Sequence, residues 1–408
     1  MTTRSYIFVA ETIFGIGGSQ RYILDKSRWL IGQGWDVHFV FSSLGDEILD
    51  FSCVATYHFP LLMCRPAFVP KGTVDKLIGR LKTNLLAGDR VVVESSSYDY
   101  AFWGELIAER LGAKHMVFDL DEVPPKLSEN EVEFFRFKLE RGELACITTS
   151  CLGRVFPEMP EKELRRYILV AYMGDAVEDV PFDVDVLPEA DYRVGLVSRL
   201  DKAFVPDAFC EVARFCQENP ELRINFVVVG DTDNDALGRS LFAEVEGIEN
   251  LAVTRLGFMA PIPRKLVGSF DVAVAKAGCA WACARVGVPT AVYSMDTDEA
   301  MGILGLDFDY SPAGFDGDST PLSAIIRSVL IDGRCEGVDI INSLPPRVVR
   351  FDKHFDFLDR SCAEVSYWDV RKIKTTALRR ATSIATLICG KYPLGMVSNV
   401  KRLLSFGE

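Results

Sequence analysis

The sequence predicts an α/β protein built from two doubly wound, Rossmann-like domains. Short apolar segments alternate with amphipathic ones along most of the chain, as strands and helices do in parallel sheets. Residues 271–293 contain one full unit of this pattern: an apolar strand, a turn at Lys276, Ala277 and Gly278, a short helix and a second apolar strand. An acidic, proline-containing stretch over residues 176–192 separates two halves that both show the pattern and is predicted to be a linker.

The first domain is predicted over residues 1–175. Its short apolar runs predict strands at 6–11, 36–41, 90–94, 115–118, 146–149 and 168–171. Amphipathic stretches predict helices after the glycine-rich turn at residues 14–21, at 101–111 and at 129–144. Because the carboxyl ends of parallel strands meet at one edge of a sheet, polar residues that follow these strands are candidate functional residues.

The second domain is predicted over residues 193–360. Strands are expected at 193–197, 224–229, 251–256, 271–275 and after Pro289, and helices at 206–218, 279–286 and 322–331. Two such domains around a linker predict a cleft between their facing strand ends, which is a common place for a small-molecule site.

Composition limits the function classes. The 408 residues are 49% hydrophobic and 25% charged, which is typical of a globular protein. The formal charge of −13 argues against general nucleic-acid binding, since phosphate neutralisation needs a basic surface. No apolar run approaches the roughly 18 residues of a membrane span, and the N-terminus has no signal-peptide pattern, so we expect a cytoplasmic protein.

Metal ligands are sparse. The eleven cysteines are scattered and form no Cys-x-x-Cys pair, so we expect reduced thiols. Three acidic pairs have the Asp-x-Asp spacing that can bind a divalent ion, but such pairs also arise by chance in an acidic chain: Asp119/Asp121, Asp231/Asp233 and Asp296/Asp298. The sequence therefore predicts no metal site.

The C-terminal tail, residues 361–408, is predicted to be basic and helical. From residue 369 onward, eight Lys or Arg residues face only Asp369 and Glu408, so this stretch carries +6 and the rest of the chain −19. Its apolar positions fit packing against the first domain, and its charge fits an anionic membrane surface. Both interpretations stay open.

Candidate residues of the first domain follow its strands. Gly17, Gly18 and Arg21 belong to a glycine turn that opens a helix, a pattern that suits an anion or simply tight packing of strand on helix. Ser97 and Tyr98 are predicted in the loop after the third expected strand, at 90–94. Asp119 and Asp121 follow the run at 115–118 and are the candidate catalytic carboxylates, although an acidic loop is often only solvated.

In the second domain the candidate residues are cationic. Arg199 and Lys202, just after the first strand, form either a clamp for a diphosphate or a solvated loop. Lys276 follows a buried strand and precedes a helix, so an anion there would meet both its ammonium group and the helix N-terminus.

Seven short segments resemble, in order and spacing, the family-4 glycosyltransferases of the GT-B fold. They are Gly17 to Tyr22 for the Gly-Gly-x-Glu/Gln-Arg opening, Cys146 to Ser150, Met173-Gly174-Asp175, Val197 to Asp201 for the Gly-Arg-Leu loop, Val229-Gly230-Asp231, Leu256-Gly257-Phe258 and Gly287-Val288-Pro289. The turn from Ala275 to Gly278 is similar instead to that of lipid-linked N-acetylglucosaminyl transferases. The resemblance spans nearly the whole chain.

The sequence departs from that family at its donor site. The family's two glutamates, which hold the donor sugar and the ribose, fall here near Ala282 and in the run from Val274 to Lys276, so both are absent. The lysine that follows the family's arginine is replaced by Phe204, and a common histidine by Phe118. Glu299 is the nearby carboxylate that could replace the ribose contact.

The resemblance implies a glycosyltransferase that moves a sugar from a nucleotide-diphosphate donor to a glycan, lipid-linked or protein acceptor, with retention and without an obligatory metal. The donor would meet Arg199, Lys202, Gly230, Lys276, Gly278 and Glu299. The missing glutamates favour an alternative, an inactive GT-B subunit that binds a partner glycosyltransferase or a glycan. A sugar-nucleotide epimerase of the same fold would need histidines that this chain, with four, largely lacks.

Overall fold

The computed structural model describes residues 4–13, 17–45, 49–85, 90–121, 126–171, 176–295, 297–307, 319–344, 350–362 and 364–389. Its strands are β1 Arg4–Ala10, β2 Trp35–Phe41, β3 Ala55–His58, β4 Arg90–Ser95, β5 Lys114–Asp119, β6 Leu144–Cys146, β7 Val177–Glu178, β8 Tyr192–Val197, β9 Ile224–Val229, β10 Leu251–Gly257, β11 Ile262–Pro263, β12 Val272–Lys276, β13 Thr290–Tyr293 and β14 Ala300–Ile303. Its α-helices are α1 Gly18–Gly32, α2 Lys71–Asn84, α3 Tyr98–Leu111, α4 Glu129–Glu140, α5 Thr149–Val155, α6 Glu161–Leu164, α7 Val205–Glu218, α8 Asp235–Ala243, α9 Arg264–Val267, α10 Ala277–Ala284, α11 Leu322–Leu330, α12 Ile340–Ser343, α13 Asp352–Arg360 and α14 Ala377–Cys389.

The chain forms two compact units. The first comprises Met1–Met173 together with Val349–Glu408, and the second comprises Gly174–Val348. The predicted boundary at residue 360 is therefore wrong, because α13 packs Phe357 and Leu358 into the core of the first unit. The predicted linker at 176–192 also belongs to a folded unit: β7 pairs with β11, and Val177 and Leu187 are buried in the second core.

The sheet of the first unit is entirely parallel, in the order β3-β2-β1-β4-β5-β6. Alternation along β1 divides its side chains between two cores: Ile7 and Val9 face α2, α3, α4 and α5, whereas Tyr6 and Phe8 face α1 and α13. Both faces are thus covered by helices, which explains why these strands are almost continuously apolar. The predicted strand at 168–171 is only an isolated bridge between Cys146 and Ile168.

A buried ion pair joins α1 to the sheet of the first unit. The Lys26 ammonium group lies 2.5 Å from the Glu94 carboxylate, and both side chains are fully buried. Burial lowers the pKa of Lys26, and the charge of Glu94 acts in the opposite direction. The hydroxyl of Tyr22 donates to Glu94 at 2.8 Å, and His354 of α13 lies 3.2 Å from the Lys26 ammonium, so the network also fixes α13.

A second buried network fixes the segment that follows α13. The Glu105 carboxylate accepts hydrogen bonds from Lys138 at 2.9 Å and from the Trp368 backbone N–H at 2.8 Å. Burial favours the neutral acid, but Lys138 and then His115 outweigh it and lower the pKa of Glu105 to about 2. Val370 and Ile373 are buried in the same core. The chain after residue 361 therefore packs on the first unit.

Helix α14 continues this packing. Its Ser383 is buried and accepts a hydrogen bond from the Arg65 backbone N–H at 3.3 Å. Arg380 and Ile384 of the same helix are exposed. Residues 390–408, which hold three of the eight basic residues counted in the predicted tail, lie outside the described residues. Within the part of the chain that the structure describes, no helix is both long and apolar enough to cross a membrane.

The sheet of the second unit has the order β10-β9-β8-β12-β13-β14. The first five strands are parallel, and β14 pairs antiparallel with β13. Along β12 the alternation is again strict, because Val272 and Val274 face α7 and α11 whereas Ala273 and Ala275 face α9 and α10. Small side chains on β12 and α10 let the helix lie close to the strand.

The first prediction concerns the buried ion pair. Replacing Glu94 with Gln leaves the Lys26 ammonium group buried without its charge partner, so we expect the free energy of unfolding to fall by about 3–5 kcal/mol. Asp359→Asn is the matched control, since it removes an ion pair with Arg90 in which both side chains are exposed, and it should cost about 0–1 kcal/mol. Unfolding in urea measures the free energy of unfolding of both variants. Equal losses of stability in the two variants would contradict the view that Lys26 and Glu94 form a buried ion pair that stabilises the fold.

Candidate functional site

Each sheet has one place where the chain order reverses, and ligands of doubly wound sheets bind at the strand carboxyl ends beside such a reversal. In the second unit it lies between β8 and β12. Ala275 pairs with Val197, so Lys276 and Ser198 are the next residues along two neighbouring strands. Arg199 follows directly. The predicted donor-binding cations thus stand at the reversal of the second sheet.

Gly230 shapes this edge through the backbone. Its φ is 146°, and a Cβ atom at this position would lie 1.8 Å from the carbonyl oxygen of Ser198. The Gly230 N–H donates to the carbonyl of Gly257 at 2.7 Å. Glycine is required here because the backbone after β9 lies so close to the loop after β8. Gly230 therefore fixes the position of Ser198 and Arg199.

The predicted cationic clamp takes part in local contacts. The Arg199 guanidinium donates to Asp201 at 3.0 Å, and both side chains are about half exposed. The backbone N–H of Lys202 donates to the carbonyl of Arg199 at 3.4 Å, which makes the two residues part of one turn. An exposed pair of this kind is worth about 0–1 kcal/mol, so an incoming anion can displace Asp201 from Arg199.

Lys276 is the most constrained cation of the second unit. Its side chain is 8% exposed, its ammonium group contacts the Asp298 carboxylate, and it lies 6.0 Å from the centre of the Phe204 ring. Lys276 directly precedes α10, which begins two residues earlier than the sequence predicts. Gly278 therefore lies in the first helical turn and not in a separate turn.

The backbone is strained on both sides of this ion pair. Ala277 has a φ of 52° and Asp298 a φ of 57°, and these are the two non-glycine residues with positive φ in the described part of the chain. A left-handed conformation costs a residue with a side chain roughly 1–2 kcal/mol. Strain of this kind persists where the surrounding fold imposes it, and it concentrates at functional sites.

Asp298 is the carboxylate that contacts Lys276. The neighbouring Glu299, predicted as the ribose contact, closes the loop through its backbone, since its carbonyl accepts from Ser294 N–H at 2.8 Å, and the role of its side chain stays a prediction. The Asp-x-Asp pattern did mark Asp298, though as half of a metal pair whose other half, Asp296, lies outside the described residues. Asp231, of another such pair, is held by Arg255 at 2.6 Å.

The glycine turn of the first unit caps a helix. Gly17 directly precedes α1, its carbonyl accepts from the Arg21 N–H at 3.1 Å, and no side chain caps the helix. Gly18 and Arg21 lie in the first turn of α1, and residues 14–16 lie outside the described residues. This turn follows β1, which neighbours β4 at the reversal of the first sheet.

Ser97 and Tyr98 stand across that reversal, after β4. Ser97 precedes α3 without capping it through its side chain. Tyr98, expected in a loop, is fully buried, and its ring packs against Phe135 with 4.6 Å between centroids. Its hydroxyl has no hydrogen-bond partner within the described residues. Burial raises the pKa of this phenol, and the charge of Asp119 adds to the effect.

Asp119 and Asp121 form a pair of carboxyl groups at the end of β5. Asp119 is fully buried, with Cys146 Sγ donating at 3.5 Å and the Asp121 N–H at 3.4 Å. Burial and then the charge of Asp121 raise the pKa of Asp119 well above its usual value. Burial, Asp99 and Glu11 raise the pKa of Asp121 to about 7. A carboxylate that titrates near neutrality is a suitable proton acceptor for a hydroxyl group.

The described residues contain no group of three His, Cys, Asp or Glu side chains arranged to hold a metal ion. The two edges offer cations and helix N–H groups in the second unit and carboxyl groups in the first, which suit electrostatic and acid–base chemistry.

Comparisons with known proteins define the fold. The sequence matches no protein-family model and no curated protein sequence. The structure is similar to that of a glycosyltransferase from Rickettsia africae ESF-5, with a TM-score of 0.57 and 10% identity over 95% of this chain and 99% of that one. The lipopolysaccharide outer core galactosyltransferase WaaB is similar with a TM-score of 0.53 and 16% identity, over 87% of this chain and 99% of that one. Anabaena HepE, solved with UDP-glucose, is similar with a TM-score of 0.53 and 15% identity, over 83% of this chain and 93% of that one. The chain has the GT-B fold.

The second prediction follows from the raised pKa of Asp121. The folded state holds this proton more tightly than the unfolded chain, so the resulting stability is present below about pH 4 and is lost as the pH rises through about 7. Asp121→Asn should therefore raise the free energy of unfolding at pH 8 by on the order of 2 kcal/mol and leave it nearly unchanged at pH 4.

Thermal unfolding at both pH values measures this difference. Asp50→Asn is the control, because hydrogen bonds from Ser52 lower the pKa of Asp50 and its removal should not stabilise the protein at pH 8. No gain for Asp121→Asn at pH 8, or the same gain at pH 4, would show that Asp121 ionises normally.

Proposed function

We propose that this protein is a glycosyltransferase that moves a sugar from a nucleotide-diphosphate donor to a hydroxyl group of a glycan, lipid-linked or protein acceptor. The observation that carries the proposal is Lys276: a nearly buried ammonium group at the sheet reversal of the second unit, at the N-terminus of α10, between two strained backbone positions. The GT-B fold supports it, and HepE of that fold has been solved with UDP-glucose.

The donor diphosphate is proposed to bind at the end of β12. Its oxygens would accept hydrogen bonds from the Lys276 ammonium group and from N–H groups of the first turn of α10, including that of Gly278. Arg199 and Lys202 would approach from the loop after β8. Together these groups would stabilise the charge that develops on the departing diphosphate, so no metal ion is obligatory.

Asp298 would leave Lys276 when the diphosphate arrives, and its carboxylate would then be available to hydroxyl groups of the donor. Asp298 thus takes the place that the sequence suggested for Glu299. Its loop begins at the end of β13 and closes at Glu299, so the movement involves only a few residues.

The acceptor is proposed to bind at the first unit's edge, near Gly17, Arg21 and Ser97. Asp121, with its pKa of about 7, would take the proton of the acceptor hydroxyl, and the buried, protonated Asp119 would support it by a hydrogen bond. Retention at the sugar carbon is proposed from the family resemblance.

One observation favours a second function. Arg199 and Lys276 each already have a carboxylate partner in Asp201 and Asp298. Paired cations of this kind fit an inactive GT-B subunit that binds a partner glycosyltransferase or a glycan. Nucleotide binding distinguishes the two functions.

The third prediction tests the donor site. Arg199→Ala and Lys276→Met should each weaken binding of the nucleoside diphosphate by tenfold or more, as expected for loss of a charge-assisted hydrogen bond. Arg223→Ala is the control, because Arg223 lies in the same unit and forms a comparable exposed pair with Asp191. Isothermal titration with UDP, GDP and ADP measures the affinities. Wild type that binds none of them supports the inactive subunit.

The fourth prediction concerns location. We propose that the protein is cytoplasmic and attaches peripherally to an anionic membrane through its basic tail, where each basic residue contributes about 1 kcal/mol. At low salt the full chain should float with vesicles containing phosphatidylserine, and a chain ending at residue 389 should float less. The shorter chain retains all of α14. Equal flotation would remove the tail from membrane binding.

A further inference from the structure

Four parallel strands of the second unit end level with one another. Val197 of β8 pairs with Ala275 of β12 on one side and with Val229 of β9 on the other. Val229 pairs in turn with Gly257 at the end of β10. The residues that follow these four partners form one row along the edge of the sheet: Lys276, Ser198, Gly230 and Phe258. Neighbouring strands lie about 4.8 Å apart, so about 14 Å separates the two ends of the row, a distance that an extended nucleoside diphosphate covers.

Phe258 is an exposed aromatic residue at the end of the row opposite Lys276. It is 47% exposed, and it follows Gly257, whose φ of 69° turns the chain at the end of β10. The Gly257 carbonyl accepts from the Gly230 N–H at 2.7 Å, so this turn lies beside the end of β9. An open aromatic ring at a ligand-binding edge can stack on a nucleobase, but stacking accepts every base because every base has a π-face. Selection of one base needs a polar group.

Asp231 is a carboxylate held in a fixed orientation next to this turn. Its Oδ1 accepts from the Thr232 backbone N–H at 2.8 Å and from the Arg255 guanidinium at 2.6 Å. Within the described ranges, both side-chain hydrogen bonds of Asp231 go to Oδ1, so Oδ2 is available to a ligand. Oδ2 lies 3.8 Å from the position that a Cβ atom of Gly257 would take. Glycine therefore leaves space next to this oxygen.

A carboxylate distinguishes the bases because it accepts hydrogen bonds and donates none. Guanine carries two adjacent donors on its Watson–Crick edge, N1–H and the 2-amino group. Uracil has its single N–H between two carbonyl oxygens, and adenine has its amino group beside a ring nitrogen that accepts. The negative charge of a carboxylate repels these acceptor atoms. A carboxylate on the Watson–Crick edge thus favours guanine over uracil and adenine.

We infer that Phe258 and Asp231 bind the base of the donor nucleotide and select guanine. The guanine ring stacks on Phe258, and its N1–H and 2-amino groups donate to the Asp231 carboxylate. The ion pair between Asp231 and Arg255 is exposed on both sides, so a base can share or displace the guanidinium. The inference rests on the proposed function, because it names the base of the donor whose diphosphate binds at Lys276.

Isothermal titration with GDP, inosine diphosphate, UDP and ADP tests the inference. Inosine diphosphate is the matched probe, because it keeps N1–H and lacks only the 2-amino group of GDP. Wild type should bind GDP roughly tenfold or more tightly than UDP or ADP, as expected for a two-donor contact with a base edge, and several-fold more tightly than inosine diphosphate.

Asp231→Asn should reduce the preference for GDP over UDP to within about twofold. The amide oxygen can keep the hydrogen bonds from Thr232 and Arg255, so its NH₂ group takes the place of Oδ2 and meets the donors of guanine. Asp191→Asn is the matched control, because Asp191 also accepts from a backbone N–H, that of Arg223 at 2.8 Å, and pairs with the same arginine's side chain at 2.9 Å. This control should retain the preference.

Phe258→Leu should weaken the binding of all four diphosphates several-fold and keep their order, since stacking does not depend on the base. Wild type that binds GDP no more tightly than UDP or ADP, a preference that survives in Asp231→Asn, or unchanged affinities in Phe258→Leu would overturn the inference. The proposed function would stand in each of these cases, because a nucleoside diphosphate still binds. Binding of none of the four to wild type would overturn the proposed function and the inference with it.

Discussion

The parallel pairing of β8 with β12 is the constraint on which the second unit's site depends. Ala275 and Val197 are partners in the register, so the residues that follow them emerge side by side, about 5 Å apart. A shift of one residue would turn Lys276 to the opposite face of the sheet and bury valines where alanines must meet α10. The apolar alternation of β12 thus fixes the position of the charge.

Burial of charge separates structural residues from candidate functional residues in this protein. In the first unit, Lys26 with Glu94 and Lys138 with Glu105 are buried and paired, and each pair ties a late segment of the chain to the sheet. Asp119 and Asp121 are also buried to different degrees but have no such cation in the described part of the chain. Perturbed groups without a structural partner are the better candidates for binding and catalysis.

Much of the fold could be predicted because buried parallel strands are short apolar runs. Strands β1, β8, β9 and β12 lie within a residue or two of their expected positions. Strand β3 was missed because Ala55–His58 is an edge strand with exposed positions and no apolar run. The strand β14 runs antiparallel, which no local pattern indicates.

The sites were predictable only in part. Polar residues after strands were identified because the ends of parallel strands share an edge, which located Lys276, Arg199 and Asp119. The contact of Asp298 with Lys276 spans 22 residues and depends on a left-handed backbone, neither of which a sequence pattern reveals. Tyr98 was predicted in the loop between a strand and the helix at 101–111, but it is the first residue of α3 and the tertiary packing of that helix buries it.

Hydrogen–deuterium exchange with and without a nucleoside diphosphate is the most direct test of the proposal that the second unit binds the donor at its sheet reversal. With whichever of UDP, GDP or ADP binds, the account predicts slower exchange in peptides covering the end of β12, the first turn of α10 and the loop before Glu299. Peptides of β3 and α2 in the first unit should exchange as before. Binding without protection at β12 and α10 would contradict the account.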